Sequence, residues 1–88
     1  MKAQYLCLMA KNVKVKERKL GRERAYGLYH EDGLIEIDPR IPPKDYMRVL
    51  IHEYLHHYFP EWSEETVDET STDISEFLWT HSYRKVSQ

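Results

Sequence analysis

Residues 44–58 read KDYMRVLIHEYLHHY, and this stretch decides the fold because its apolar residues recur with the period of an α-helix. The apolar side chains stand at positions i, i+3, i+4, i+7, i+8 and i+11, namely Met47, Leu50, Ile51, Tyr54, Leu55 and Tyr58. This spacing predicts an amphipathic helix whose buried stripe is centred near Met47 and Tyr54. The helix is expected to end before Pro60, because proline lacks the N–H that a helix interior requires.

A second helix is predicted to follow after a short loop. Ser63 is a good N-cap, and Glu64 and Glu65 then lie in the first turn, where the helix dipole favours acids. The expected packing stripe comprises Val67, Ser71, Ile74 and Leu78, and the helix is expected to fray after Trp79. The short loop predicts that the two helices form an antiparallel hairpin.

The residues before the helices alternate with period two, which predicts the strands of a small antiparallel sheet. The alternating segments cover residues 13–16, 26–29 and 34–38, with Gly21 between the first two. Asp32-Gly33 is a hairpin turn signal between the second and third. Residues 1–9 fit either a further strand or a short helix. The predicted class is α+β: an antiparallel sheet of three strands, or four, followed by an antiparallel helix pair.

The length of 88 residues predicts a single domain over 1–88, because a chain this short buries only one small core. Such domains usually need a disulfide, a metal or a partner chain, and Cys7 is the only cysteine, so a metal or a homo-oligomer is left. With a mean hydropathy of -0.74, the chain has no apolar run of the roughly 20 residues that span a membrane. No signal peptide is recognised, and a cytoplasmic location is expected.

The charge is unevenly distributed along the chain. Residues 1–40 hold nine Lys and Arg against six Asp and Glu, a net +3, while residues 41–88 hold four against nine, a net -5. The basic stretch at residues 11–24 fits a nucleic-acid patch, but it fits the solvated face of exposed strands better, because no nucleic-acid motif accompanies it. Nucleic acid is therefore not an expected partner.

The sequence His52-Glu53-Tyr54-Leu55-His56 is an H-E-x-x-H motif inside the predicted helix. One helical turn places both imidazoles on one face, where they can bind a single Zn²⁺, and Glu53 is close enough to take a proton from a water that the metal activates. Both histidines point about 130° to 170° away from the apolar stripe, so they are not expected in the core. The competing interpretation is two surface histidines with a chance Glu between them. Mn, Co or Ni could occupy the same site in vitro.

A third ligand must come from elsewhere, and the acids of the second helix are the natural source. With Val67 taken as 0°, Glu64 falls at about 60° and Asp68 at about 100°, so both face inward from one edge. Glu65 and Glu69 fall at about 160° and 200°, on the outer face. The short loop also places Glu64 level with His56.

Residues 23–83 resemble a minimal gluzincin-type H-E-x-x-H zinc metallopeptidase, of the kind found among small metallopeptidases of phages and prokaryotes and related to SprT-like and ImmA/IrrE-type domains. The resemblance implies that Glu64 is the third zinc ligand and that Asp68, four residues later, hydrogen-bonds a zinc-bound His. Glu69-x-x-x-Asp73 matches the same short pattern, so Glu69 stays an alternative third ligand. The resemblance also implies that the strand at 34–38 borders the cleft and offers its backbone to an extended peptide.

The expected function is zinc-dependent hydrolysis of peptide bonds in a peptide or protein substrate. His52, His56 and Glu64 hold Zn²⁺, and Glu53 activates the water and passes its proton to the leaving amine. Candidates for the donor that stabilises the oxyanion are Tyr29, His81 and Tyr83, which the sequence does not rank.

His57 points about 100° from His56 and is expected at a surface or edge position rather than as a ligand. The alternative function is a zinc-stabilised binding or regulatory domain with a latent site. Larger gluzincins carry a further subdomain that walls the substrate cleft, for which 88 residues leave no room.

Overall fold

The computed structural model of the chain describes residues 13–23 and 25–86, and within them it has the predicted α+β class. Three strands precede two helices: β1 (Lys14–Glu17), β2 (Gly27–Tyr29), β3 (Leu34–Ile37), α1 (Pro43–Tyr58) and α2 (Glu64–Thr80). A short 3-10 helix, Gly21–Glu23, lies between β1 and β2. The predicted strand or helix at residues 1–9 lies outside the described residues. Neither helix in the described part is long and apolar enough to cross a membrane.

The sheet is mixed, so the prediction of an antiparallel sheet is wrong. Strand β3 lies in the middle, with β2 antiparallel on one side and β1 parallel on the other. The β2–β3 hairpin has the expected turn, in which Gly33 takes a positive φ of 94° that favours glycine. By contrast, β1 and β2 are separated by residues 18–26, a connection long enough to carry the chain to the other side of β3.

The position of β3 overturns a second expectation. Because β3 pairs on both sides, it has no free edge to offer to an extended peptide. Within the described part of the chain the edges of the sheet are β1 and β2. All four residues of β1 are exposed, including Lys14 and Lys16, and charged residues on an edge strand discourage further pairing.

Helix α1 packs against both the sheet and α2, and this explains which of its residues are buried. The core cluster joins Ile35 and Ile37 of β3 to Val49 of α1. The most buried residues of α1 are Val49, Glu53 and Leu55 rather than the stripe centred on Met47 and Tyr54. A helix covered on two sides buries a wider arc than its apolar period indicates, and here that arc includes a glutamate.

The contact between β2 and α1 is very close at Gly27. A Cβ on this residue would lie 2.4 Å from Val49 Cγ1 and 3.2 Å from Glu53 Cγ. A side chain at this position therefore could not be accommodated without a shift of the helix. The glycine sets how deeply α1, and Glu53 with it, sits against the edge strand.

Helix α2 begins at the predicted N-cap, where Ser63 Oγ accepts a hydrogen bond of 3.1 Å from the Thr66 N–H. Its buried face is formed by Val67, Ser71 and Ser75, whereas Ile74, predicted for this stripe, is 37% exposed. The hydroxyls of Ser71 and Ser75 donate to carbonyls of their own helix, which satisfies them without a partner on α1. Small residues therefore line the helix contact in place of the expected Ile74.

Candidate metal centre

Three side chains from the two helices converge on one point. The imidazoles of His52 and His56 lie one turn apart on α1, with ring centroids 4.9 Å apart. Glu64, the first residue of α2, places Oε1 2.6 Å from His56 Nε2 and 3.3 Å from His52 Nε2. One donor atom from each of the three residues lies within 4.8 Å of the other two. The tight loop and the Ser63 cap bring Glu64 to this position.

Asp68 contributes a second carboxylate, one turn further along α2. Its Oδ1 lies 3.5 Å from His52 Nδ1, so each ring nitrogen of His52 faces a carboxylate. The later histidine, His56, pairs with the earlier acid, Glu64, and His52 pairs with Asp68. This order is that of two antiparallel helices, as the sequence predicts. Glu64 and Asp68 are thus brought together with the histidines as the inward-facing edge of α2.

Glu69, the alternative third ligand, is not part of this group. It lies on the exposed face of α2 beside Asp68, Asp73 and Glu76, which line a shallow open depression. Among the described residues, the metal-binding geometry therefore includes Glu64 and leaves out Glu69.

Glu53 lies beside the three converging side chains but faces the sheet. Only 9% of this residue is exposed. Burial raises the pKa of its carboxyl, and the charge of Glu64 acts in the same direction, while His52 and His56 oppose the rise. Its Cγ approaches β2 at Gly27, and its carboxyl interacts electrostatically with His52, His56 and Glu64.

A hydrogen bond between Tyr29 and His57 was not predicted from the sequence. Tyr29 Oη lies 2.8 Å from His57 Nδ1, and both residues are partly buried. His57 is therefore half-buried and hydrogen-bonded to the edge strand. The spacing of Glu53 and His57, i and i+4 on α1, could have shown that His57 shares the face of Glu53, but not that Tyr29 is its partner.

The other two candidate oxyanion donors are far from this group. His81 caps the C-terminal end of α2, and the helix rise places it about 25 Å along the axis from Glu64. Tyr83 follows it and is 63% exposed. Of the three candidates that the sequence left unranked, Tyr29 alone belongs to the strand that packs against Glu53 at Gly27.

The donor set fits a zinc ion with an open position. Two imidazole nitrogens and one carboxylate oxygen are a ligand combination of catalytic zinc sites, which keep the fourth position for water or substrate. Within the described ranges, the only ion-pair partners of Glu64 and Asp68 are the two imidazoles. In that part of the chain, no lysine or arginine forms an ion pair with these carboxylates.

Comparison of the chain with protein-family models, with curated proteins and with solved structures gives no match. The resemblance to gluzincins therefore rests on the motif residues themselves, and the function must be argued from their geometry.

Proposed function

We propose that the chain is a zinc-dependent metallopeptidase. The observation that carries this proposal is the convergence of His52, His56 and Glu64 beside a buried Glu53. A metal site that serves only stability needs its ligands alone. A buried carboxylate at its edge, with a raised pKa, is what a hydrolytic site requires in addition.

His52, His56 and Glu64 would hold the metal, and Asp68 would orient His52 by accepting from its Nδ1. When bound, zinc supplies a Lewis acid that lowers the pKa of a water and polarises the scissile carbonyl. The exposed side chain of Glu64, 75% accessible, leaves the group open to solvent on one side. A substrate can therefore reach it.

Glu53 acts as the general base and then as the general acid. Its carboxylate takes a proton from the attacking water while the water oxygen forms a bond to the carbonyl carbon. The same proton passes to the amide nitrogen as the C–N bond breaks. A carboxylate with a raised pKa is a stronger base and takes the proton of the water more readily than an ordinary one, and burial supplies that rise.

The substrate backbone is proposed to lie along β2 rather than β3. Strand β2 is an edge of the sheet in the described part of the chain, and Gly27 lies directly against Glu53. An extended peptide that adds to this edge gains main-chain hydrogen bonds and passes beside the carboxyl. The substrate class is thus a peptide or protein segment in an extended conformation.

The experiment loads the full chain with zinc and follows cleavage of labelled casein and of a peptide library by fluorescence and mass spectrometry. Glu53→Gln is expected to keep one zinc per chain and to lose at least about 100-fold in rate. Glu61→Gln, an exposed carboxylate in the loop between the helices, is the matched control and should cleave normally.

Equal activity in Glu53→Gln and the parent chain would refute this role for Glu53. A parent chain that binds zinc and gains stability but cleaves nothing would instead favour the zinc-stabilised binding or regulatory domain.

A further inference from the structure

The Tyr29–His57 hydrogen bond is the feature of the site that the proposed mechanism leaves unused. Tyr29 belongs to β2 and His57 to α1, so the 2.8 Å bond joins the edge strand to the helix that carries the motif. The rings also meet edge to face, with centroids 5.7 Å apart. The two side chains therefore fix one another's orientation.

The Tyr29–His57 pair and the contact of Gly27 with Glu53 lie along the same interface between β2 and α1. Gly27 and Tyr29 are two residues apart in β2 and face α1 together, the first against Glu53 and the second against His57. Glu53 and His57 are likewise one turn apart on α1, about 6 Å along the helix. A peptide laid on the β2 edge would meet the Glu53 carboxyl and the Tyr29 hydroxyl in succession.

We propose that Tyr29 is a catalytic residue that donates a hydrogen bond to the carbonyl oxygen of the scissile bond, and that His57 is its positioning residue. This inference rests on the proposed peptidase function. Negative charge develops on that oxygen when water attacks the carbonyl carbon, and a donor held in place beforehand stabilises it. Tyr29 supplies the donor without any change of its own protonation.

The direction of the pair bond decides whether the hydroxyl is free to donate. In the proposed arrangement His57 donates its Nδ1 hydrogen to Tyr29 Oη across the 2.8 Å contact. The Tyr29 hydroxyl hydrogen is then not shared with His57 and is free to turn toward a carbonyl oxygen of the peptide. No bond of the protein has to break for the hydroxyl to bind the carbonyl oxygen.

If Tyr29 served only to pack the core, its replacement by phenylalanine would leave catalysis unchanged. Its ring packs against the cluster of Ile35, Ile37 and Val49, and a phenylalanine ring would preserve that packing. Tyr29→Phe therefore removes the hydroxyl while it keeps the core contact. The fold and the metal ligands should be unaffected.

The test compares Tyr29→Phe with the parent chain, both full length and loaded with zinc. Tyr26→Phe is the matched control, because Tyr26 immediately precedes the same strand and is 60% exposed. Two quantities are measured: the kcat for casein peptides, and the affinity for a phosphonamidate pseudo-tripeptide of alanine, whose tetrahedral oxygens imitate the reacting carbonyl. Zinc content and Tm are recorded for each protein.

Tyr29→Phe is expected to lower kcat about 100-fold and phosphonamidate affinity at least about 10-fold, with unchanged zinc content and Tm. Tyr26→Phe should match the parent. His57→Leu should lower kcat with little change in KM, and His57→Asn, which restores a donor near the Nδ1 position, should recover part of the loss.

Tyr29→Phe within twofold of the parent in both quantities would overturn the inference. A parent chain that binds the phosphonamidate but cleaves nothing would refute the peptidase function, while the affinity of Tyr29→Phe would still decide the role of Tyr29. A parent chain that fails to bind the phosphonamidate overturns the inference as well.

Discussion

Two groups of carboxylates in this molecule are balanced in different ways. On and just after β3, Glu36 accepts from Arg18 Nε at 2.6 Å and lies 2.8 Å from His30 Nε2, while Asp38 accepts from Arg40 Nη2 at 2.6 Å. At the helix pair, Glu64 and Asp68 meet only the imidazoles of His52 and His56 within the part of the chain described. The first group pairs with arginines, whereas no described lysine or arginine pairs with the second.

The same contrast shows in two nearly buried acids. Glu36 is 7% exposed and Glu53 is 9% exposed. Hydrogen bonds from Arg18 and His30 lower the pKa of Glu36 to about 2, whereas burial raises the pKa of Glu53. Burial alone disfavours the charged form, so the nearby cation decides the direction of the shift. The sheet group, Glu36 and Asp38, already pairs with cations of the protein. The helix group, Glu64 and Asp68, is suited to an added cation.

The largest effect is expected from removing one of the three donors at the helix pair. Zinc at about 100 times its Kd should stabilise the parent chain by about 2.7 kcal/mol and raise Tm by roughly 10–20 °C. His56→Ala should weaken zinc binding at least about 100-fold and abolish that rise. Calorimetric titration and thermal unfolding measure both effects.

His81→Ala, at the opposite end of α2, serves as the control and should keep the zinc response. A His56→Ala chain that binds zinc as the parent does would remove the distinction between the two carboxylate groups.

A smaller effect is expected where the sheet meets Glu53. Gly27→Ala places a Cβ 2.4 Å from Val49 Cγ1. Such overpacking should lower the free energy of unfolding by about 1–3 kcal/mol and displace Glu53 from the candidate metal ligands. Gly21→Ala is the matched control, because its Cβ would meet Arg40 Nη2 at an ordinary 3.5 Å. Urea unfolding of both variants measures the difference. Equal stability would mean that β2 and α1 do not approach as closely as described.

The smallest effect concerns the sheet group and its dependence on pH. The pKa of Glu36 lies below that of an unfolded glutamate, so the folded state binds fewer protons. Its stabilisation is complete above about pH 5 and is lost as the pH falls toward about 2.

Glu36→Gln should therefore be less stable than the parent at pH 7, and the gap should narrow on acidification. Glu31→Gln, an exposed acid in the β2–β3 turn, is the control and should leave no such gap. Unfolding at a series of pH values checks this; a gap that widens in acid would contradict the pairing of Glu36 with Arg18 and His30.

The sequence predicted the elements whose signals are local. The apolar period located α1, Ser63 located the start of α2, and Asp32-Gly33 located the β2–β3 turn. The pairing of β1 with β3 was missed because alternation indicates a strand without identifying its neighbour. The connection formed by residues 18–26 is long enough for β1 to lie beside either strand of the β2–β3 hairpin.

For the candidate site, too, the sequence indicated the residues with local signals and missed a contact between distant ones. His52, Glu53 and His56 follow from a motif within one helix, and Glu64 and Asp68 from their direction on the next. Tyr29 and His57 come together across 28 positions of the chain, so only the fold could show that they pair. On α2, Ser75 is buried and Ile74 is exposed, because closely packed helices have room for a small side chain rather than a large apolar one.

Zinc titration of Glu64→Gln beside Glu69→Gln decides whether Glu64 completes a metal site with His52 and His56. We expect one zinc per parent chain, a loss of at least about 100-fold in zinc affinity for Glu64→Gln, and a change below about threefold for Glu69→Gln. The reverse order of the two variants, or a parent chain that binds no zinc, would contradict this expectation.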